Sequence, residues 1–223
     1  MFTNHSQPQP DETGAFMSPN RTRDITDAIY AFALTLLVVT IDIPKFGQLS
    51  TSEEFNLHLW AIMPQILVYA LSFLLLAIFW ITNHKEYNLL KRVDSRLLWL
   101  NFLSLIFVIF IPFTTDLMGE YPRFQSAGII FDANILFLGL TYYAIWTYAE
   151  KRKLFSTNLS PVVRRELRRR LMIVPILALV AIILSFFVPL YSNLVCLSAP
   201  VIMWIIDAKY DKELKEAESG EKT

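Results

Sequence analysis

Hydrophobic and polar positions along this chain fall into long apolar runs separated by short charged stretches. About 20 residues at 1.5 Å each cross the hydrocarbon layer of a bilayer. Six runs approach or exceed that length: roughly residues 24–43, stopped by Pro44; 57–80, continuing as helix past His84 toward Arg92; 97–117; 126–149; 171–190; and a shorter run at 193–207. Pro64, Pro112, Pro175 and Pro200 fall within or near these runs. Neighbouring helices can re-satisfy the carbonyls that a proline frees, so such prolines are tolerated as kinks. The pattern predicts an all-α membrane protein of six transmembrane helices. A membrane domain over 21–208 would be flanked by a disordered tail at 1–20 and a charged cytoplasmic tail at 209–223.

Composition agrees: 54% of residues are hydrophobic and 18% charged, the balance of a membrane protein rather than a soluble one. The first twenty residues are rich in Pro, Gln, Asn and Ser and lack the basic start and apolar core of a signal peptide. The single cysteine, Cys196, excludes an intrachain disulfide. Zero net charge conceals a strong segregation. With six spans, 18 of the 20 Lys and Arg fall on one side, and the other keeps only Lys45 and Arg123. The positive-inside rule then puts both termini in the cytoplasm, and an odd number of spans would scatter these bases. The dense cluster Arg164, Arg165, Arg168, Arg169 and Arg170 reads as an orientation anchor touching anionic membrane lipid. On the outer side Asp42, Glu53, Glu54, Asp116 and Glu120 face two bases, a net charge of −3 that would concentrate cations at an entrance. Asp42, at the end of the first helix, is the candidate for an outer mouth.

The first helix carries the candidate chemistry. Asp27 lies inside a membrane-length span, where a carboxylate is costly unless paired, and so marks a functional or assembly site. With Phe32 at zero on a wheel of about 100° per residue, Ile25, Ile29, Leu36, Val39 and Ile43 fall within about 60° of it. Thr35 borders this stripe at about 60°, and Asp27 lies about 140° away. Two arrangements fit. The stripe faces lipid or packs as ordinary core, or copies of the helix surround an axis and the stripe lines a hydrophobic pore. In the second case Asp27 and Arg21 would lock each helix to its neighbours. Periodicity leaves both open.

Arg21, Ile25, Thr26 and Asp27 match the spacing of an Arg-x-x-x-Phe-Ser-Asp signature, followed by Ala28-Ile-Tyr-Ala-Phe-Ala-Leu-Thr-Leu-Leu-Val-Val. Tyr69-Ala-Leu-Ser-Phe comes next, with Trp80 and His84 on the second helix, then Leu97-Leu-Trp-Leu-Asn-Phe-Leu through Pro112-Phe113 on the third. In this order the chain resembles the transmembrane protein 175 family of potassium channels over about residues 21–122. Beyond that it does so only by hydropathy and placement. Ile25 and Thr26 replace the Phe and Ser of the signature, Ala28 stands in place of the usual small residue, and the frequent histidine pair is reduced to Asn83-His84.

The resemblance implies a cation channel selective for potassium over sodium, with six helices per repeat. Single-repeat members assemble as tetramers and two-repeat members as dimers, so a homotetramer in a bacterial cell membrane is expected, with the first helix lining the pore. Carried over by distance from the Asp, the constriction falls on Phe32, with Leu36 and Val39 above it and Thr35 beside it; the family usually has Ile or Leu where Phe32 stands. The resemblance calls for no cofactor and no metal other than permeant potassium.

Six glycines, none in a Thr-x-Gly-Tyr-Gly-like run, leave no filter of backbone carbonyls. An apolar neck instead strips or squeezes the hydration shell. That favours potassium only modestly, predicts low conductance, and gates by dewetting. Arg21, Thr26, Asp27, His84 and Asn101 are candidates for a polar knot at the cytoplasmic ends of helices one to three, with Trp80 packed over it. The alternative class is a secondary transporter of a small cation or solute. It would be expected to show interrupted helices and mid-membrane charges, and here Asp132 is the single possible example. An enzyme is disfavoured: His5, His58 and His84 are scattered, no His/Cys cluster has metal-ligand spacing, and neither Gly-x-Ser-x-Gly nor a phosphate loop occurs. Nucleic-acid binding has no support beyond bases that topology already explains.

Overall fold

The computed structural model describes residues 16–17, 19–39, 41, 51–155, 161–188, 195, 198–203 and 205–206. Its elements run β1 (Phe16–Met17), α1 (Pro19–Val39), α2 (Ser52–Leu89), β2 (Val93–Asp94), α3 (Ser95–Glu120), α4 (Gln125–Lys151) and α5 (Pro161–Ser185), followed by helical residues 198–203 and 205–206. Among the described residues α2, α3 and α4 are each long and apolar enough to cross a membrane. Helices α1 and α5 are of membrane length but open on charged turns, with Arg21, Arg23, Asp24 and Asp27 in α1 and five arginines at positions 164–170 in α5. The short sixth run is described only at 198–203 and 205–206, and the tails at 1–15 and 207–223 lie outside the described residues.

The helices overshoot the apolar runs because a hydropathy window ends where charge begins, whereas a helix ends where capping does. Thr51 caps α2 with a full capping box: its side chain accepts from the Glu54 N–H at 3.2 Å, and the Thr51 N–H donates to Glu54 Oε2 at 3.1 Å. Asp94 caps α3, accepting from the Leu97 N–H at 2.8 Å. Its second oxygen accepts from the Tyr148 hydroxyl at 2.7 Å, which ties the start of α3 to the end of α4. Arginine is a good helix former, so α5 begins about ten residues before its apolar run and takes in the arginine cluster that hydropathy had left in a loop.

One small ladder interrupts the all-helical expectation. Residues 16–17, assigned by sequence to the tail, pair antiparallel with β2: Phe16 opposite Asp94 and Met17 opposite Val93. The α2–α3 connection leaves extended backbone whose polar groups need partners. The segment before α1 supplies some, and the Lys91 N–H donates to the Leu154 carbonyl at 2.8 Å.

Helix α1 packs against α2 and α3, while α4 bridges α3 to α5. The shared core takes Tyr30 and Leu37 from α1, Leu75 and Leu76 from α2, Val108 and Ile111 from α3, Phe131 and Leu138 from α4, and Ala178 and Ala181 from α5. Outside it, large apolar side chains point outward, as a lipid-facing protein requires. Trp60 and Trp99, each 74% exposed, lie near the starts of the antiparallel helices α2 and α3, hence at opposite ends, where aromatic rings suit the two membrane interfaces.

The α4–α5 contact is tight at one point. A Cβ on Gly139 would sit 2.4 Å from Cγ and 2.8 Å from Cδ of Pro175, a ring that cannot swing away. Gly139→Ala gains about 1 kcal/mol of helix propensity, but overpacking costs about 1–3 kcal/mol, and a contact this short falls at the upper end. The expected outcome is a lower thermal unfolding midpoint for the detergent-solubilised protein, read by loss of its size-exclusion peak on heating; an unchanged or raised midpoint contradicts the close packing.

Candidate pore helix and its polar anchor

Helix α1 presents two distinct stripes. Thr22, Thr26, Tyr30, Ala33 and Leu37 are buried against its own subunit. Arg21, Ile25, Ala28, Phe32, Thr35 and Val39 are exposed, at alternating spacings of four and three. Phe32 is 62% exposed and Val39 73%, high values for large apolar side chains in a row. Every seventh position of the exposed stripe is bulky (Ile25, Phe32, Val39), and the positions between them are small (Ala28, Thr35). Such a regular stripe suits either contact with lipid or close approach to another helix.

Three contacts set how α1 is rotated. Asn101 Nδ2 in α3 donates to Thr26 Oγ1 at 3.0 Å, and the Thr26 hydroxyl donates to the Thr22 carbonyl at 2.9 Å. Trp80 Nε1 in α2 donates to Asp27 Oδ1 at 2.8 Å. The Trp80 ring in turn lies 5.9 Å from that of His84, one helical turn along. Deeper in, the Tyr30 hydroxyl meets the Tyr142 hydroxyl of α4 at 2.5 Å, and Phe79 stacks on Tyr142 with ring centroids 5.6 Å apart. At the opposite end of the bundle the Tyr69 hydroxyl donates to Asp116 Oδ1 at 2.7 Å, and Thr115 donates to Ser72 at 2.8 Å, joining α2 to α3.

The expected polar knot is thus divided into two strands of contact. Asp27, Trp80 and His84 form one, between α1 and α2; Thr26 and Asn101 form the other, between α1 and α3. Arg21 joins neither: it is exposed and makes no ion pair among the described residues. Of the pore candidates, Phe32, Thr35 and Val39 lie on the exposed stripe, while Leu36 is half-buried on its shoulder. Ile29 likewise turns inward and packs against the core. Asp42 and Ile43 lie outside the described residues. The Thr35 hydroxyl donates to the Phe32 carbonyl at 2.8 Å, so its proton is engaged by the backbone, and the residue is exposed. Sequence reasoning missed the Tyr30–Tyr142 contact, which joins residues 112 apart, and the Arg23 guanidinium bond to Asn88 Oδ1 at 2.9 Å. No periodicity signals either.

The sequence profile of the family described as endosomal/lysosomal potassium channel TMEM175 matches residues 21–112, the segment holding α1, α2 and most of α3. Over that segment the chain is similar to the TMEM175 family. A relative from Chamaesiphon minutus, named as a potassium channel, is 29% identical over 147 residues, covering 64% of this chain and 68% of its own length. A second, from Streptomyces collinus and also named as a potassium channel, is 28% identical over 159 residues, 67% of this chain and 74% of the relative. The crystal structure of a lysosomal potassium-selective channel TMEM175 homolog from Chamaesiphon minutus shares the fold, with a TM-score of 0.71 at 24% identity over 86% of this chain and 97% of that one.

A hydrogen bond to a carboxylate, such as that from Trp80 to Asp27, is worth about 1.5–3 kcal/mol. Asp27→Ala and Trp80→Phe are each expected to lower the thermal stability and oligomer yield of the purified protein. In a double-mutant cycle their costs should fall short of additive by a similar amount. Strict additivity, or an Asp27→Ala oligomer of normal yield with altered ion preference, contradicts the anchoring role.

Proposed function

We propose that the chain is a potassium channel, weakly selective over sodium, that works as a homotetramer of six-span subunits with both termini in the cytoplasm. Four copies of α1 surround the pore, and Phe32 forms its narrow ring. The observation that carries this reading is the exposed heptad stripe of α1, which its own subunit leaves uncovered although it is lined by large apolar side chains. The similarity to the family and the names of the bacterial relatives support the permeant ion.

On such an axis the bulky positions Ile25, Phe32 and Val39 form three apolar rings about 10 Å apart, seven residues at 1.5 Å each. Ala28 and Thr35 widen the space between rings. Water leaves a narrow apolar ring readily, so the ring gates by dewetting. An ion passing it sheds part of its shell, which costs sodium more than potassium. The hydroxyl oxygen of Thr35, one turn from Phe32, offers a lone pair in place of a lost water ligand. Phenyl faces offer a further weak attraction for a cation. Leu36, on the shoulder of the stripe, supports the ring from behind. At the outer mouth Asp42 raises the local cation concentration.

Currents from the purified protein in planar bilayers, with potassium on one side and sodium on the other, test the reading. A reversal potential displaced modestly toward the potassium equilibrium is expected. No displacement, or a flux that saturates like a bound substrate, favours the transporter class. Phe32→Ala is expected to raise unitary conductance several-fold and reduce the potassium preference, with oligomer yield preserved. Unaltered conductance in that variant removes Phe32 from the pore.

A further inference from the structure

Helix α5 begins with a dense run of positive charge. Between positions 150 and 170 there are eight Lys and Arg against two Glu. Five of those bases are arginines in the first ten residues of α5, the end where the helix dipole is positive and disfavours cations. Glu150, at the end of α4, takes two of them: Arg164 at 3.2 Å and Arg168 by a shorter contact. Glu166 takes Arg169 at 2.8 Å. Arg165 is exposed and has no ion-pair partner among the described residues. The paired arginines also stay open to the outside, with 46% of the Arg168 side chain and 63% of that of Arg169 exposed.

The same face continues as hydrocarbon. With Arg165 at zero and about 100° per residue, Arg169, Ile176, Leu179 and Ile183 all fall within about 40° of it, and Arg168 within about 60°. Ile176, Leu179 and Ile183 are 51%, 47% and 52% exposed. Arg169 and Ile176 are separated by about 10 Å along the helix. A soluble anion would match the arginines alone, and bulk acyl chains the apolar strip alone. An ion carried on acyl chains matches both.

We infer that this face of α5 is a binding site for an anionic phospholipid, its phosphate held by Arg165, Arg168 and Arg169 and its chains lying along Ile176, Leu179 and Ile183. Glu150 contributes by fixing Arg164 and Arg168 together, so that part of the headgroup cradle is formed before the lipid arrives. The site is built from α4 and α5 alone and stands apart from the α1 stripe, so it does not depend on what passes through the assembly.

Native mass spectrometry of the full chain, released from detergent after titration with phosphatidylglycerol or phosphatidylcholine, tests it. Retention of phosphatidylglycerol should exceed that of phosphatidylcholine and should fall as salt is raised. Each arginine near an anionic surface is worth about fivefold in binding. The Arg165→Ala, Arg169→Ala double variant should therefore lose phosphatidylglycerol by more than tenfold while keeping its phosphatidylcholine binding. The corresponding double Lys variant should retain most of the preference, and it carries the test if the Ala variant fails to assemble. Equal retention of the two lipids by the unaltered protein, a preference indifferent to salt, or a double Ala variant that still holds phosphatidylglycerol overturns the proposal. So does an oxidative cross-link between copies through Ile176→Cys, which would mean that a second subunit covers the face.

Discussion

The hydrogen bonds from Asn101 to Thr26 and from Trp80 to Asp27 hold α1 at one rotation about its own axis. The two acceptors are adjacent residues and therefore point about 100° apart. One is met by α3 and the other by α2, so turning the helix either way breaks at least one contact. That rotation decides which side chains the subunit hides. With it, Tyr30, Ala33 and Leu37 are buried while Phe32, Thr35 and Val39 face outward. A turn of one residue would bury a phenyl ring where alanine now fits and expose tyrosine in its place. The outward stripe thus follows from two polar contacts near one end of the helix.

Those contacts matter more here than their size would suggest in a soluble protein. Hydrocarbon is as apolar as leucine, so burying one apolar face of a membrane helix against another gains little from expulsion of water. What remains is close packing and interhelical hydrogen bonds, each typically about 1 kcal/mol in membranes. The structure uses both. Gly139 lets α4 approach the Pro175 ring, and hydroxyl pairs such as Tyr30–Tyr142 and Thr115–Ser72 join helices far apart in sequence. Asp94 serves two helices with one carboxylate, capping α3 and receiving the α4 tyrosine. The helix ends and crossing points are therefore where single substitutions should cost most.

Much of this was legible in the sequence, and the parts that were not share a cause. Five long helices and the continuation of α2 past His84 follow from apolar run length, and the cost of a carboxylate in a span marks Asp27 as needing a partner, though the one expected was Arg21. The facing of α1 was only half legible. The wheel placed Ile29 and Leu36 on one stripe with Phe32, put Thr35 at its border, and left open whether that stripe faces outward. In the structure Ala28 and Thr35 are outward, Ile29 packs against the core and Leu36 is half-buried. In a membrane protein, core, lipid and a greasy pore all accept the same residues, so apolarity locates a helix without fixing its rotation. The separation of Arg21 from Asp27 has a similar origin: a wheel shows which residues share a face, and only tertiary placement shows which of them find partners. The early start of α5 escaped notice because arginine ends an apolar window without ending a helix.

The described halves of the chain divide their work along α3. Helices α1 and α2 lean on it from one side, and α4 with α5 from the other. Polar contacts to α1 concentrate at the end where Asp94, Trp80 and Asn101 lie, and the arginines of α5 reach Glu150 at the end of α4, beside the same α2–α3 connection. One end of the subunit thus holds the setting of α1, the β1–β2 ladder and the dense positive charge together. Between the two sides, Tyr142 of α4 touches Tyr30 on the buried side of α1, two residues from Phe32. The link is short and direct.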